Sequence, residues 1–280
     1  MTKKNPRYLI FSDLDGTLLN HETYAFHEAQ EALDCLKEKG FPLILCSSKT
    51  RAEMEGLRKE INNKDPFIVE NGAAVFIPKG LFDPINLAFR EIDDYQVIEL
   101  GVSYQKIRTF FEEIKAETGI KAEGFSEMAI DQIARSSGLT LEKAALAKQR
   151  EYSEPFILPE TISQNRRLLW EEAVQKRDLQ MVKGGRFFHL IGPNDKGKAV
   201  QLLKNLYSTK TERSPVSIGL GDSPNDFPML ENVDIPVLIK KKANEYEPWP
   251  RSTPIYRSRE IGPKGWNTFI LNLLKEDCHE

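Results

Sequence analysis

Several things are scarce in this chain of 280 residues, and each scarcity closes a class of explanation. Cysteine comes three times, as Cys35, Cys46 and Cys278, at spacings that suit neither a zinc site nor a disulfide framework. A reducing, cytoplasmic setting is the expectation. Long apolar runs are missing: the longest are strand length, too short to cross a bilayer. The stretch Met1 to Pro6 carries positive charge but passes straight into a strand, without the apolar region of a signal peptide. An excess of either charge is missing too. With 39 basic residues against 42 acidic the net charge is −3, which gives no reason to expect a nucleic acid or a membrane surface as partner. Of the four histidines, His21, His27 and His279 read as surface groups, and His189, in an apolar strand, as a satisfied core histidine. Neither an internal repeat nor a low-complexity segment interrupts the chain.

What is present is an alternation of short apolar strands and amphipathic helices. Tyr8 to Phe11 is an apolar run, 28–39 has helical spacing with Gly40 as a stop signal, and 41–46 is a second run. A helix over 52–61 and a strand at 67–70 follow, the latter leading through Asn71-Gly72-Ala73 to a short extended stretch ending at Ile77. This is βαβ texture, which predicts a doubly wound parallel sheet. From about Leu81 strands and helices mix differently. Helices are expected over 103–118, 127–136, 141–150 and 165–177, strands at 95–100 and 156–158, and a hairpin joins 179–182 to 187–191 across Lys183-Gly184-Gly185-Arg186. The βαβ texture then returns with a helix over 197–207, strands at 216–220 and 235–239, a helix over 225–231, a loop over 240–254 and a last helix over 265–274. The expected organisation is an α/β core made of 1–82 and 189–280 with an α+β module, 83–188, inserted into it. Trp170 and the Phe110-Phe111 pair belong to the core of that insertion.

The chemistry sits where apolar strands end. Ile10-Phe11-Ser12-Asp13-Leu14-Asp15-Gly16-Thr17 places two carboxylates at the carboxyl end of the first strand, where open α/β sheets bind ligands. Ser47 and Ser48 follow the second strand, and Gly221-Asp222-Ser223-Pro224-Asn225-Asp226 follows a later one. Lys196 stands at a helix start. Singly, Ser47 fits a helix cap, Lys196 a solvated charge and Asp222 a turn former. Together they describe phosphoryl transfer. Converging carboxylates need a cation, hard oxygen ligands suit Mg²⁺, and a hydroxyl and an ammonium can hold the transferring group.

Asp13-Leu14-Asp15-Gly16-Thr17, the serines, Lys196 and the Asp222–Asp226 segment, in this order, resemble the motifs of the haloacid dehalogenase superfamily of aspartate-nucleophile phosphatases. The insertion between the second and third motifs resembles the cap of its Cof-type branch. A narrower resemblance, to mannosyl-3-phosphoglycerate phosphatases, lies in Cys46 to Arg51, Glu70 to Ala73, Ala147 to Phe156 and Gly185 to His189. The Cof-type second motif usually reads Thr-Gly-Arg where this chain has Ser47-Ser48-Lys49, and position after the strand favours Ser47 over Ser48 as the phosphate ligand.

The resemblance implies that Asp13 attacks phosphorus, forming an aspartyl phosphate, and that Asp15 serves as acid and then base. It implies Mg²⁺ held by Asp13, the backbone carbonyl of Asp15 and Asp222, with Asp226 in its outer shell. Ser47, Lys196 and Asn225 would hold the phosphate, Asn225 and Asp226 also supporting the metal waters and Lys196. No organic cofactor is implied. The expected activity is hydrolysis of a mannosyl- or other glycosyl-3-phosphoglycerate, the glucosyl analogue being the alternative within enzymes. A receiver-type signalling domain, which also uses a strand-end Asp, a Ser or Thr, a Lys and Mg²⁺, is the alternative outside them. Arg150 is the first candidate for the substrate carboxylate, with Arg135 and Lys49 behind it. The stretch Gly192 to Ala199 matches a nucleotide-phosphate loop, but Ala199 stands where that loop needs Ser or Thr, and Asp195 puts a carboxylate in the anion nest.

Overall fold

The computed structural model describes residues 7–184, 186–211, 213–242 and 245–276, so Cys278, His279 and Gly185 lie outside the described residues. In chain order the elements are β1 (Tyr8–Ser12), α1 (Gln30–Lys39), β2 (Leu43–Cys46), α2 (Arg51–Glu60), β3 (Phe67–Val69), β4 (Ala74–Pro78), β5 (Arg90–Ile92) and β6 (Tyr95–Glu99). Then come α3 (Tyr104–Thr118), β7 (Glu123–Gly124), α4 (Ile130–Ser137), α5 (Leu141–Ala147), β8 (Glu154–Ile157), α6 (Gln164–Gln175), β9 (Gln180–Gly184) and β10 (Phe187–Ile191). The chain closes with α7 (Lys196–Lys210), β11 (Val216–Gly221), α8 (Phe227–Glu231), β12 (Ile235–Lys240), β13 (Tyr256–Ile261) and α9 (Gly262–Glu276).

A nine-stranded sheet runs β13-β12-β11-β1-β2-β3-β4-β6-β5. Pairs from β13 through β3 are parallel, and those from β3 to β5 antiparallel. β1 is central and wholly buried because it is apolar on both faces. Tyr8 and Ile10 pack with Trp266 and Ile270 of α9 and Leu36 of α1. Leu9 and Phe11 pack on the other side with Leu203 and Tyr207 of α7 and Met229 of α8. The chain leaves β1 toward β2 on one side and comes back to β11 on the other. The carboxyl ends of β1 and β11 therefore meet at the point where strand order reverses.

A second, four-stranded antiparallel sheet, β7-β8-β10-β9, carries α3 and α6. Phe111, Phe156 and Trp170 fill its core, with Phe110 packed partly against them. Side chains of β10 alternate: Phe188 and Leu190 join that core, while Phe187 joins Phe125, Ile133 and Ala144 in a smaller cluster built on α4 and α5.

Three strands escape the sequence reading, namely β5, β7 and β13. More consequentially, β5 and β6 are hydrogen-bonded into the large sheet although the sequence reading counts them in the insertion at 83–188. Conversely β10 stays in the small sheet as far as Ile191, three residues past the expected end. β4 to β6 extend the large sheet as an antiparallel edge, a pairing that short apolar runs do not announce in advance.

Candidate active site

Lys196 occupies the centre of the site. Asp195 caps α7, its carboxylate accepting from the Lys198 amide at 2.9 Å, and so starts the helix where Lys196 faces inward. The same contact shows why the apparent nucleotide loop is not an anion nest: its helix N-terminus already holds a carboxylate. The Lys196 ammonium, 1% exposed, donates to Asp13 Oδ1 at 2.7 Å, Asp226 Oδ1 at 2.6 Å and the Cys46 carbonyl at 2.9 Å. All three donors are used, and Lys196 lies beneath Asp13 rather than on the cavity wall. Burial alone would lower its pKa, but the two carboxylates hold it above the ordinary lysine value.

The other oxygen of Asp226 accepts the amides of Asp222 and Ser223, both at 3.0 Å, so both of its oxygens are engaged. Thr17 donates to Asp222 Oδ1 at 3.4 Å. Gly16, at φ +85°, brings its backbone so close that a Cβ would stand 3.0 Å from Asp222 Oδ2. Asp13, Asp222 and Asp226 thus form a buried triad with one oxygen of each within 4.8 Å of the others. Burial, then Asp226, pushes Asp222 up to about 7. Asp13 is raised well above the usual carboxylate range by burial and Asp226, against the pull of Lys196. One ammonium does not balance three carboxylates, and an all-oxygen donor set of this kind fits Mg²⁺. Asp13 and Asp222 can supply donors to it.

Asp15 turns away from the triad. Its Oδ2 is 2.8 Å from Lys49 Nζ, and its Oδ1 is buried without a hydrogen-bond partner among the described residues. Lys49 also lies 3.8 Å from Glu53 and over the Tyr24 ring. Burial disfavours its charge, but Asp15 and Glu53 outweigh that and raise its pKa. Ser47 is buried on the cavity wall, where its Oγ accepts from the Lys49 amide at 3.2 Å. Ser48 faces the same cavity, and its carbonyl accepts from Arg150 Nη1 at 2.8 Å. Asn225 reaches the wall from the other side, its amide nitrogen on Asn71 Oδ1 at 3.1 Å and its Oδ1 unpartnered among the described residues.

These groups open into one cavity of about 1070 Å³. Asp13, Asp15, Ser47 and Asn225 line it from the large sheet, and Arg150, Phe187 and His189 from the small one. Arg150, with 5% of its side chain exposed, spends Nη1 on Ser48 and keeps a buried, unpartnered Nε. Arg135 is set aside: it is 70% exposed, paired with Asp131 at 2.7 Å, and does not line the cavity.

Two groups have no site role in the expectations from sequence, although both stand in the stretches that resemble mannosyl-3-phosphoglycerate phosphatases. Glu70 is one. Held at φ +46° and fully buried, its carboxylate accepts the amides of Glu151 at 2.8 Å and Tyr152 at 3.1 Å and the Ser153 hydroxyl at 2.6 Å. It thereby ties the segment entering β8 to the loop after β3. Gly72 lets that loop close on α7, since a Cβ there would stand 2.1 Å from the Asp195 carbonyl. A charged residue right after an apolar strand was the available signal. The other is His189, which is buried as expected but not satisfied: its Nδ1 has no partner among the described residues.

A doubly wound sheet whose switch-point strand ends in a buried carboxylate, backed by a lysine and two further aspartates under a second module, defines a hydrolase of the haloacid dehalogenase class. Comparison agrees: the family described as haloacid dehalogenase-like hydrolase matches residues 10–246, and the chain belongs to it. Among its relatives is a glucosyl-3-phosphoglycerate/mannosyl-3-phosphoglycerate phosphatase of Methanococcoides burtonii, 45% identical over 96% of this chain and 97% of that protein. A mannosyl-3-phosphoglycerate phosphatase of Pyrococcus horikoshii is 41% identical over 81% of this chain and 88% of that one. A solved structure from Thermoplasma acidophilum superposes with a TM-score of 0.68 at 20% identity, covering 96% of this chain and 99% of that one, and so shares the fold.

Proposed function

We propose that the protein is a Mg²⁺-dependent phosphomonoesterase that hydrolyses glycosyl-3-phosphoglycerates, mannosyl or glucosyl, to the glycosylglycerate and phosphate. The observation that carries this reading is the Asp13–Lys196–Asp226 cluster at the floor of a cavity that also holds Asp15, Ser47 and Asn225. The 45% identity to a phosphatase of that specificity supports the substrate. Asp13 attacks phosphorus and the bond to the leaving alkoxide breaks, Asp15 giving that oxygen its proton. Asp15 then takes a proton from water, which attacks the aspartyl phosphate and restores Asp13. The Ser47 hydroxyl and the Asn225 amide hold phosphoryl oxygens, while Lys196 fixes Asp13 from below and adds positive charge to the site. Magnesium, when held by Asp13, the Asp15 carbonyl and Asp222, offsets the charge that the phosphate brings to these carboxylates. Asp226, with both oxygens engaged, acts from the outer shell.

The chain divides into a core that does the chemistry, up to about residue 100 and again from about 192, and a cap between them that selects the substrate. On the cap side Arg150 is the partner for the substrate carboxylate, with Lys49, next to the Ser48 carbonyl that Arg150 meets, as the second candidate. A cytoplasmic compartment is part of this reading, and the buried free thiol of Cys46 supports it. Phosphate release tests the reading, measured with mannosyl- and glucosyl-3-phosphoglycerate beside other sugar phosphates. The glycosyl phosphoglycerates should give the highest kcat/KM, and a sugar monophosphate well ahead of both would displace them.

A further inference from the structure

His189 stands on the cavity wall for a reason that packing does not supply. Along β10 the neighbouring Phe188 and Leu190 turn toward α3 and α6, so His189 turns the other way, into the cavity shared with Asp13 and Ser47. It is 4% exposed, and its Nδ1 has no hydrogen-bond partner among the described residues. A buried polar atom left this way costs free energy unless something pairs with it. Space is kept for the ring: a Cβ on Gly184, in the adjacent strand, would stand 3.3 Å from His189 Nε2. Arg150 lines the same cavity, its Nη1 3.8 Å from the buried Glu70 carboxylate and its Nε without a hydrogen-bond partner among the described residues.

We propose that His189 is a substrate-binding residue that donates a hydrogen bond to the carboxylate of the phosphoglycerate moiety, beside the Arg150 guanidinium. The inference rests on the substrate class proposed above. Burial and the nearby charges of Arg150 and Lys196 push the imidazole down to about 3, so it is a neutral donor at working pH. A neutral ring adds a directed donor beside the Arg150 guanidinium without bringing a further charge into a buried position. An aryl phosphate has no carboxylate for it to meet.

The test is a ratio, kcat/KM for a glycosyl-3-phosphoglycerate divided by that for p-nitrophenyl phosphate. His189→Leu should lower this ratio by about ten- to a hundred-fold, the usual worth of a hydrogen bond to a charged group. His189→Asn keeps a neutral donor and should recover a large part of it. His189→Met is the apolar replacement should Leu not fold. An unchanged ratio in the apolar variant would overturn the proposal, and so would an equal fall with Leu and Asn, which would make shape the cause. A wild-type ratio near unity is a separate outcome that overturns the substrate class itself.

Discussion

Removing the Lys196 charge at constant shape is the perturbation whose size the structure fixes best. Lys196→Met keeps the length of the side chain but leaves Asp13 and Asp226, 9% and 0% exposed, facing each other without their ammonium. Breaking a buried pair by deleting one partner costs about 3–5 kcal/mol, because the remaining charge stays buried. At about 2–4 °C per kcal/mol for a large domain, Tm in EDTA should fall by roughly 6–20 °C. The cost is electrostatic, so it should be recoverable in two ways. Adding Asp226→Asn to Lys196→Met, which removes one of the stranded charges, should restore more than half of the lost Tm. Acidification should recover part of it too, as Asp13, whose pKa burial raises, takes up a proton. Thermal melts of wild type, single and double variants in EDTA at two pH values make the assay. A Lys196→Met melt within about 2 °C of wild type, or a double variant no better than the single, would refute the electrostatic account.

Three other outcomes follow from the same geometry. Asp15→Asn should slow phosphoryl transfer in a single turnover much less with p-nitrophenyl phosphate, whose leaving group is stable as an anion, than with a glycosyl phosphoglycerate; equal losses would remove the acid role. Because burial raises Asp13 and Asp222, the metal-free folded state binds protons that the unfolded chain has lost, so its stability is present at acid pH and declines as pH rises through about 7. Mg²⁺ should therefore raise Tm more at about pH 8 than at about pH 5.5, and melts with and without the ion check this. Glu70→Ala strands two amides and a hydroxyl at the cap seam, at about 1–3 kcal/mol for each one left unpaired, and should lower Tm and raise KM for the glycosyl ester more than for the aryl phosphate.

Much of this was legible before the structure, and for a definite reason. β1 and β2 are buried on both faces and are written as apolar runs, β11 as Val-Ser-Ile-Gly-Leu-Gly with only Val216 exposed, and the polar residues that end them stand out at once. Asp13, Ser47 and Asp222 are such residues. Lys196 was legible as a helix-start lysine, but not as a group wholly enclosed by Asp13, Asp226 and the Cys46 carbonyl, because those contacts join residues 183, 30 and 150 positions apart. The edge strands were hidden for the opposite reason. β13, Tyr-Arg-Ser-Arg-Glu-Ile, is polar and pairs with a neighbour on one side only, so it carries no apolar run. β5 and β6 look like part of the insertion because texture along the chain says nothing about which sheet a hairpin joins. The apolar neighbours of His189 point to the core, and only the alternation along β10 shows that it faces the cavity.

Asp13 is the group that receives the phosphoryl in this mechanism, and trapping that species is the most direct measurement of it. With Asp15 replaced by Asn, the water that should release phosphate lacks its base, so the adduct should persist. Asp15→Asn protein mixed with excess p-nitrophenyl phosphate and Mg²⁺, quenched in acid, should carry one phosphoryl group in its intact mass. Borohydride reduction and peptide mass spectrometry should then locate it at Asp13. Aryl release with no phosphoryl on the protein, or a phosphoryl found on any other residue, would contradict the account.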